Sequence, residues 1–93
     1  MGDTRRFTVT AAFIAHNFQP CRVADVAGGK GDLSTALREY GFTCTVIDTR
    51  KGADVHARFT PDMAADYALL VGLHPDGATE ALATAACSGV PVV

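Results

Sequence analysis

Val23-Ala-Asp-Val-Ala-Gly-Gly-Lys-Gly31 is the stretch that decides the fold. The apolar run from Cys21 to Ala27 has the length and character of a strand covered on both faces. It runs into Gly28, Gly29 and Gly31. Glycines there let the backbone turn sharply and let a ligand approach it closely. Asp32 follows, where it can cap a helix. Leu33, Ala36, Leu37 and Tyr40 recur on one helical face, and Gly41 falls where a left-handed residue ends a helix. Phe42 to Asp48 then reads as a second strand, carrying β-branched Thr43, Thr45, Val46 and Ile47 and ending in a carboxylate. Strand, glycine turn, helix and strand together make the unit of a parallel α/β sheet with right-handed crossovers.

The pattern continues in both directions. Upstream, Asp3 or Thr4 can cap a first helix, on which Phe7, Ala11, Ile14 and Phe18 form one apolar stripe. Phe13 is expected to belong to the core with Phe7 and Phe18. Gln19–Pro20 ends this helix. Downstream, residues 50–64 admit two readings, a short strand over Val55–Thr60 or an irregular crossing. Tyr67 to Leu73 is the clearest strand, His74 to Gly77 a turn, and Ala78 to Cys87 an alanine-rich helix stopped by Ser88–Gly89. Val90 to Val93 reads as a last strand. The expected fold is one α/β domain over residues 1–93, with a four- to five-stranded, mainly parallel sheet and the first apolar run in its middle. An open apolar sheet edge is normally paired or covered, so a homodimer is expected.

Composition agrees with a folded domain. The 93 residues are 48% hydrophobic and 19% charged, with a formal net charge of −2. That charge gives no global field to recruit nucleic acid or an anionic membrane, so neither is indicated. No run approaches the ~18–20 apolar residues that span a bilayer. Cys21, Cys44 and Cys87 lie far apart without a C-x-x-C, which suits a reducing cytoplasm better than a disulfide framework. Cys44 and Cys87 are expected as small core residues. The three histidines and three cysteines lack metal-ligand spacing, so no metal site is expected. No G-x-S-x-G or Cys/His signature points to a nucleophilic hydrolase.

The chemistry lies in the glycine turn and the acid that follows it. Asp48 would end the strand beside the turn, where a carboxylate can accept both hydroxyls of a ribose. An adenosine-containing ligand is therefore expected; the bland alternative is a tight turn with a surface aspartate. A phosphate-cradling P-loop needs G-x-x-x-x-G-K-[ST], but Lys30 is followed by Gly31. A nicotinamide or flavin dinucleotide site wants G-x-G-x-x-G, which A-G-G-K-G-D-L fits poorly.

Asp25-x-Ala27-x-Gly29-x-Gly31 resembles the acid-then-spaced-glycines motif of S-adenosylmethionine-dependent methyltransferases with a Rossmann-like fold. VIDTR at 46–50 is similar to that family's second acidic motif, and LLVGLHPDGATEAL at 69–82 to the fourth-strand segment of a subgroup with a GLH motif. The resemblance covers roughly residues 20–93. It implies a minimal Rossmann-like three-layer sandwich that binds S-adenosylmethionine and transfers its methyl group to an acceptor. It also implies roles: the backbone at Ala27, Gly28 and Gly29 faces the methionine part, and Asp25 helps receive its ammonium. Asp48 takes the ribose hydroxyls with Thr49 beside the adenine, and Leu73 and His74 lie near the reaction centre. The family's catalytic domains usually carry two further strands, and its amino-group enzymes an Asn/Asp-Pro-Pro-aromatic motif. Here that place reads Leu73-His74-Pro75-Asp76. Catalytic residues are thus not assigned, with His74 the one candidate base, and the alternative is a non-catalytic binding or scaffold module of the same fold.

Overall fold

In the computed structural model, the described residues are 5–28, 30–72, 83 and 89–93. The expected helix 78–87 and the turn 74–77 lie outside them, apart from Ala83.

The chain opens with α1, Arg5–Asn17, and β1, Arg22–Val26. There follow α2, Asp32–Arg38, and β2, Thr43–Asp48. β3, Val55–His56, is only two residues long; a 3-10 turn, Pro61–Asp66, leads to β4, Leu69–Val71. The strand order is β3-β2-β1-β4 and every pairing is parallel. The first apolar run is central, as the sequence implies. Beyond β4, Val92 bridges Leu70 in parallel, and the amide of Val93 donates to the Leu70 carbonyl at 2.9 Å. The last apolar segment thus joins the sheet edge.

Strand alternation divides the core in two. Val23, Cys44, Leu69 and Val71 face α1 and α2, packing against Ala11, Ile14, Leu33, Leu37 and Phe42. Ala24, Val26, Ile47 and Leu70 face the other way, onto Phe59 and Ala64 of the crossing segment. Ala11 and Ile14 of the expected stripe are fully buried, with Phe7 and Phe18 packed beside them. Burying an aliphatic side chain of this kind is worth roughly 1.5–3 kcal/mol.

Several local expectations are corrected. Phe13 points away from the core and is 56% exposed, because its neighbours Ala11 and Ile14 take the buried stripe. Tyr40 is 47% exposed because α2 has already ended. The C-terminus of α2 follows the Schellman pattern: the Phe42 amide bonds the Leu37 carbonyl and Gly41, at φ +93°, bonds that of Arg38. At the start of α2, Asp32 is the first helical residue and not the cap. Gly31, at φ +80°, occupies the cap position with no side-chain cap bond. The segment 55–60 keeps only two strand residues, and the 3-10 turn after it has no periodic sequence signal. Tyr67 and Ala68 belong to the approach, so β4 is shorter than its apolar run.

Candidate functional site

β1 and β2 are parallel neighbours with Val26 opposite Ile47, so Ala27 comes level with Asp48. The Ala27 amide donates to the Ile47 carbonyl at 2.8 Å, carrying the ladder into the turn. Asp25, Ala27, Gly28, Asp48 and Thr49 therefore gather at the carboxyl edge of the sheet. Gly29, Leu73 and His74 lie outside the described residues.

Asp25 faces α2 and is 1% exposed. Its Oδ2 accepts the Ser34 hydroxyl proton at 2.8 Å. Burial pushes its carboxyl above the ordinary range. The Ser34 hydroxyl and amide and the Arg38 charge oppose that rise, while the nearby Asp48 carboxylate adds to it. A Cβ on Gly28 would stand 2.6 Å from the Asp25 carboxyl carbon and 2.7 Å from each oxygen. The turn is folded directly over the acid, which explains the glycine at 28. The Asp25 carboxylate is thus turned inward onto Ser34, beneath the turn.

Ala27 stands at φ +55°, a left-handed conformation that L side chains rarely adopt. The Gly31 amide closes the turn on the Gly28 carbonyl at 3.0 Å. The Gly31 carbonyl in turn accepts the Thr35 amide at 2.9 Å and the Thr35 hydroxyl at 3.0 Å. A Cβ on Gly31 would come within 3.2 Å of a Val46 methyl, so this glycine brings the start of α2 close onto β2.

Asp48 is half-buried. Its Oδ1 accepts the Arg50 amide at 3.0 Å, and its carbonyl accepts the Ala57 amide at 3.0 Å. Thr49 is exposed, and its carbonyl lies 2.8 Å from Nε2 of His56. That nitrogen carries the proton in this contact, because the carbonyl can only accept. His56 is the residue opposite Asp48 on β3.

Three residues with a part here are not singled out by the sequence, Ser34, Arg38 and Asp54, while His56, in the segment of two readings, reads from the sequence as a surface or packing residue. Ser34 carried a usable signal, a serine one position after Leu33 and three before Leu37 on a helix that packs on a sheet. Arg38 and Asp54 carried none, because their meeting depends on the path of the loop between β2 and β3.

Burial raises the thiols of Cys21 and Cys44 above their ordinary value, which makes them poor nucleophiles. Among the described residues no cluster of His, Cys, Asp and Glu could hold a metal ion, and no helix is long and apolar enough to cross a membrane. A scan against protein-family models finds no match to this chain, and a search of curated proteins finds no significant one.

Proposed function

We propose that this chain is a Rossmann-like domain that binds S-adenosylmethionine and serves methyl transfer to an acceptor, as a homodimer or with a partner. The observation that carries the reading is the junction of the glycine turn with Asp48. A turn folded over a buried acid leaves the central strand of a parallel sheet, and a second carboxylate ends the next strand level with it. In open α/β sheets, ligands bind outside the carboxyl ends of the strands, where successive crossovers go to opposite faces. Here the crossover from β1 to β2 runs through α2 on one face, and the segment leading to β4 packs on the other.

In this reading the half-buried Asp48 accepts the ribose hydroxyls, and the backbone at Ala27, Gly28 and Gly29 receives the methionine part. Asp25 holds the turn in shape from below. Leu73 and His74 follow β4 and Gly72, in the chain segment that would approach the reacting methyl group. A sulfonium methyl is already activated, so alignment of the acceptor supplies most of the rate.

The test is isothermal titration of the chain with S-adenosylmethionine and S-adenosylhomocysteine, with Asp48→Ala alongside. Micromolar binding that the variant loses supports the reading. A folded chain that binds neither compound overturns it. Nicotinamide and flavin dinucleotides belong in the same titration, because strand order and Asp48 suit them equally and only the glycine spacing favours the sulfonium cofactor.

A further inference from the structure

The outer edge of β2 is only partly covered by β3. Thr43 and Ile47 turn their backbone groups to the β1 side: the Thr43 amide reaches the Cys21 carbonyl at 3.1 Å, and the Ile47 carbonyl accepts from Ala27. By strand alternation, Cys44, Val46 and Asp48 turn theirs outward. β3 pairs only with Ile47 and Asp48. The Cys44 carbonyl and the Val46 amide are left beyond its reach. Two side chains take these positions. Arg38 Nη2, from the last residue of α2, donates to the Cys44 carbonyl at 2.9 Å. Oδ2 of Asp54 accepts the Val46 amide at 2.8 Å, and the same oxygen meets Arg38 Nη2 at 3.4 Å.

We propose that Asp54, braced by Arg38, is a positioning residue for the ligand: it clamps the 49–54 loop so that Asp48 and Thr49 are set before binding. The inference rests on the function proposed above. Asp54 closes the loop immediately before β3, and its carboxylate is anchored on the strand that ends in Asp48. The loop's first half is fixed separately, by the Arg50 amide on Asp48 and by His56 on the Thr49 carbonyl. These ties are polar, those to the β2 backbone part-buried and the others exposed, so the loop owes much of its order to them. Ordering a binding loop in advance removes part of the entropy cost of association. An exposed ion pair alone contributes little, but an amide donating to a carboxylate is a charge-assisted bond.

The experiment compares the 93-residue chain with Asp54→Ala, Asp54→Asn and, as a surface control, Asp62→Ala. Two quantities are read on each: amide hydrogen exchange across residues 44–56, and affinity for S-adenosylhomocysteine by titration. Asp54→Ala is expected to speed exchange at Val46 and in the loop about tenfold and to weaken binding about tenfold, the scale of one hydrogen bond. Exchange in β1 and α2 should stay unchanged. Asp54→Asn keeps an oxygen for the Val46 amide and loses the charge facing Arg38, so it should fall between the two and show partial rescue. Asp62→Ala should match the parent chain.

Faster loop exchange with unaltered affinity would overturn the positioning role, and unaltered exchange would overturn the clamp itself. A parent chain that binds no S-adenosylhomocysteine would instead defeat the ligand reading, and the exchange data would still decide whether the clamp exists. If Asp54→Ala fails to fold, Asp54→Asn carries the same comparison.

Discussion

The turn after β1 and the loop after β2 leave the same edge of the sheet from adjacent strands, yet they are held by opposite means. The turn is held from within. Asp25 is buried beneath it, tied to Ser34, with no room for a Cβ at Gly28. The loop is held from outside, by Asp54, Arg38 and His56, whose side chains stay in contact with solvent. Damage to the turn is therefore damage to the core, whereas damage to the loop reaches only what the loop positions. The largest effect should come from breaking the turn. Gly28→Ala drives a methyl group into a buried carboxylate that cannot move aside. It should cost about 3 kcal/mol, the upper end of the range for overpacking, read from urea unfolding midpoints.

Asp48→Ala makes the opposite case. The residue is half-buried and its carboxylate accepts the amide of an exposed loop residue, Arg50, so the stability loss should stay well below that of Gly28→Ala, at about 1 kcal/mol. Affinity for S-adenosylhomocysteine should fall by about 100-fold, the equivalent of ~2.7 kcal/mol. A variant that unfolded instead would show that the loop, too, is part of the core and would erase the contrast.

Asp25 should also show itself under titration. Burial raises the Asp25 pKa above its ordinary 3.8, so the folded state holds its proton more tightly than the unfolded chain does. The sign follows from linkage: the Asp25 contribution is fully present below the unfolded value and is lost as pH rises through the folded one. Asp25→Asn removes that titration while keeping the shape of the side chain. Urea midpoints of the parent chain, measured relative to Asp25→Asn, should therefore fall as pH rises from about 4, where an unfolded aspartate titrates. A difference that grew with pH would mean that the Ser34 bonds outweigh desolvation.

The same contrast separates what the sequence disclosed from what it concealed. The turn was legible because each part of it has a local signature. An apolar strand must stop, glycines must supply space or positive φ, and an acid must end the neighbouring strand. Those requirements placed Gly28 and Asp48, and with them the parallel sheet around a central β1, while Asp25 was singled out only by the motif resemblance. The ties of the loop had no such signature. Arg38 and Asp54 stand 16 residues apart and meet only because β3 is too short to cover β2. Ser34 is an intermediate case: its place among the buried positions of α2 was visible, but its partner, the carboxylate that explains a buried hydroxyl there, was not. Phe13 misled because it was grouped with Phe7 and Phe18, although six residues after Phe7 it lies about 120° round the helix from the face that Ala11 and Ile14 set.

The smallest effect tests whether the turn carries strain of its own. Ala27 sits at φ +55° between a strand and a glycine turn, with its amide committed to the Ile47 carbonyl. A non-glycine residue there costs roughly 1–2 kcal/mol relative to a right-handed conformation. Ala27→Gly removes that cost but gives the unfolded chain more freedom, worth about 0.4–1 kcal/mol against folding. The two nearly cancel, so the variant should be neutral or stabilised by up to ~1 kcal/mol in urea unfolding. Ala27→Val should be destabilised, because a β-branched side chain tolerates this region still less. If both substitutions leave the midpoint unchanged, the backbone at 27 is free to relax. The turn would then be held by Asp25 and Gly28 alone.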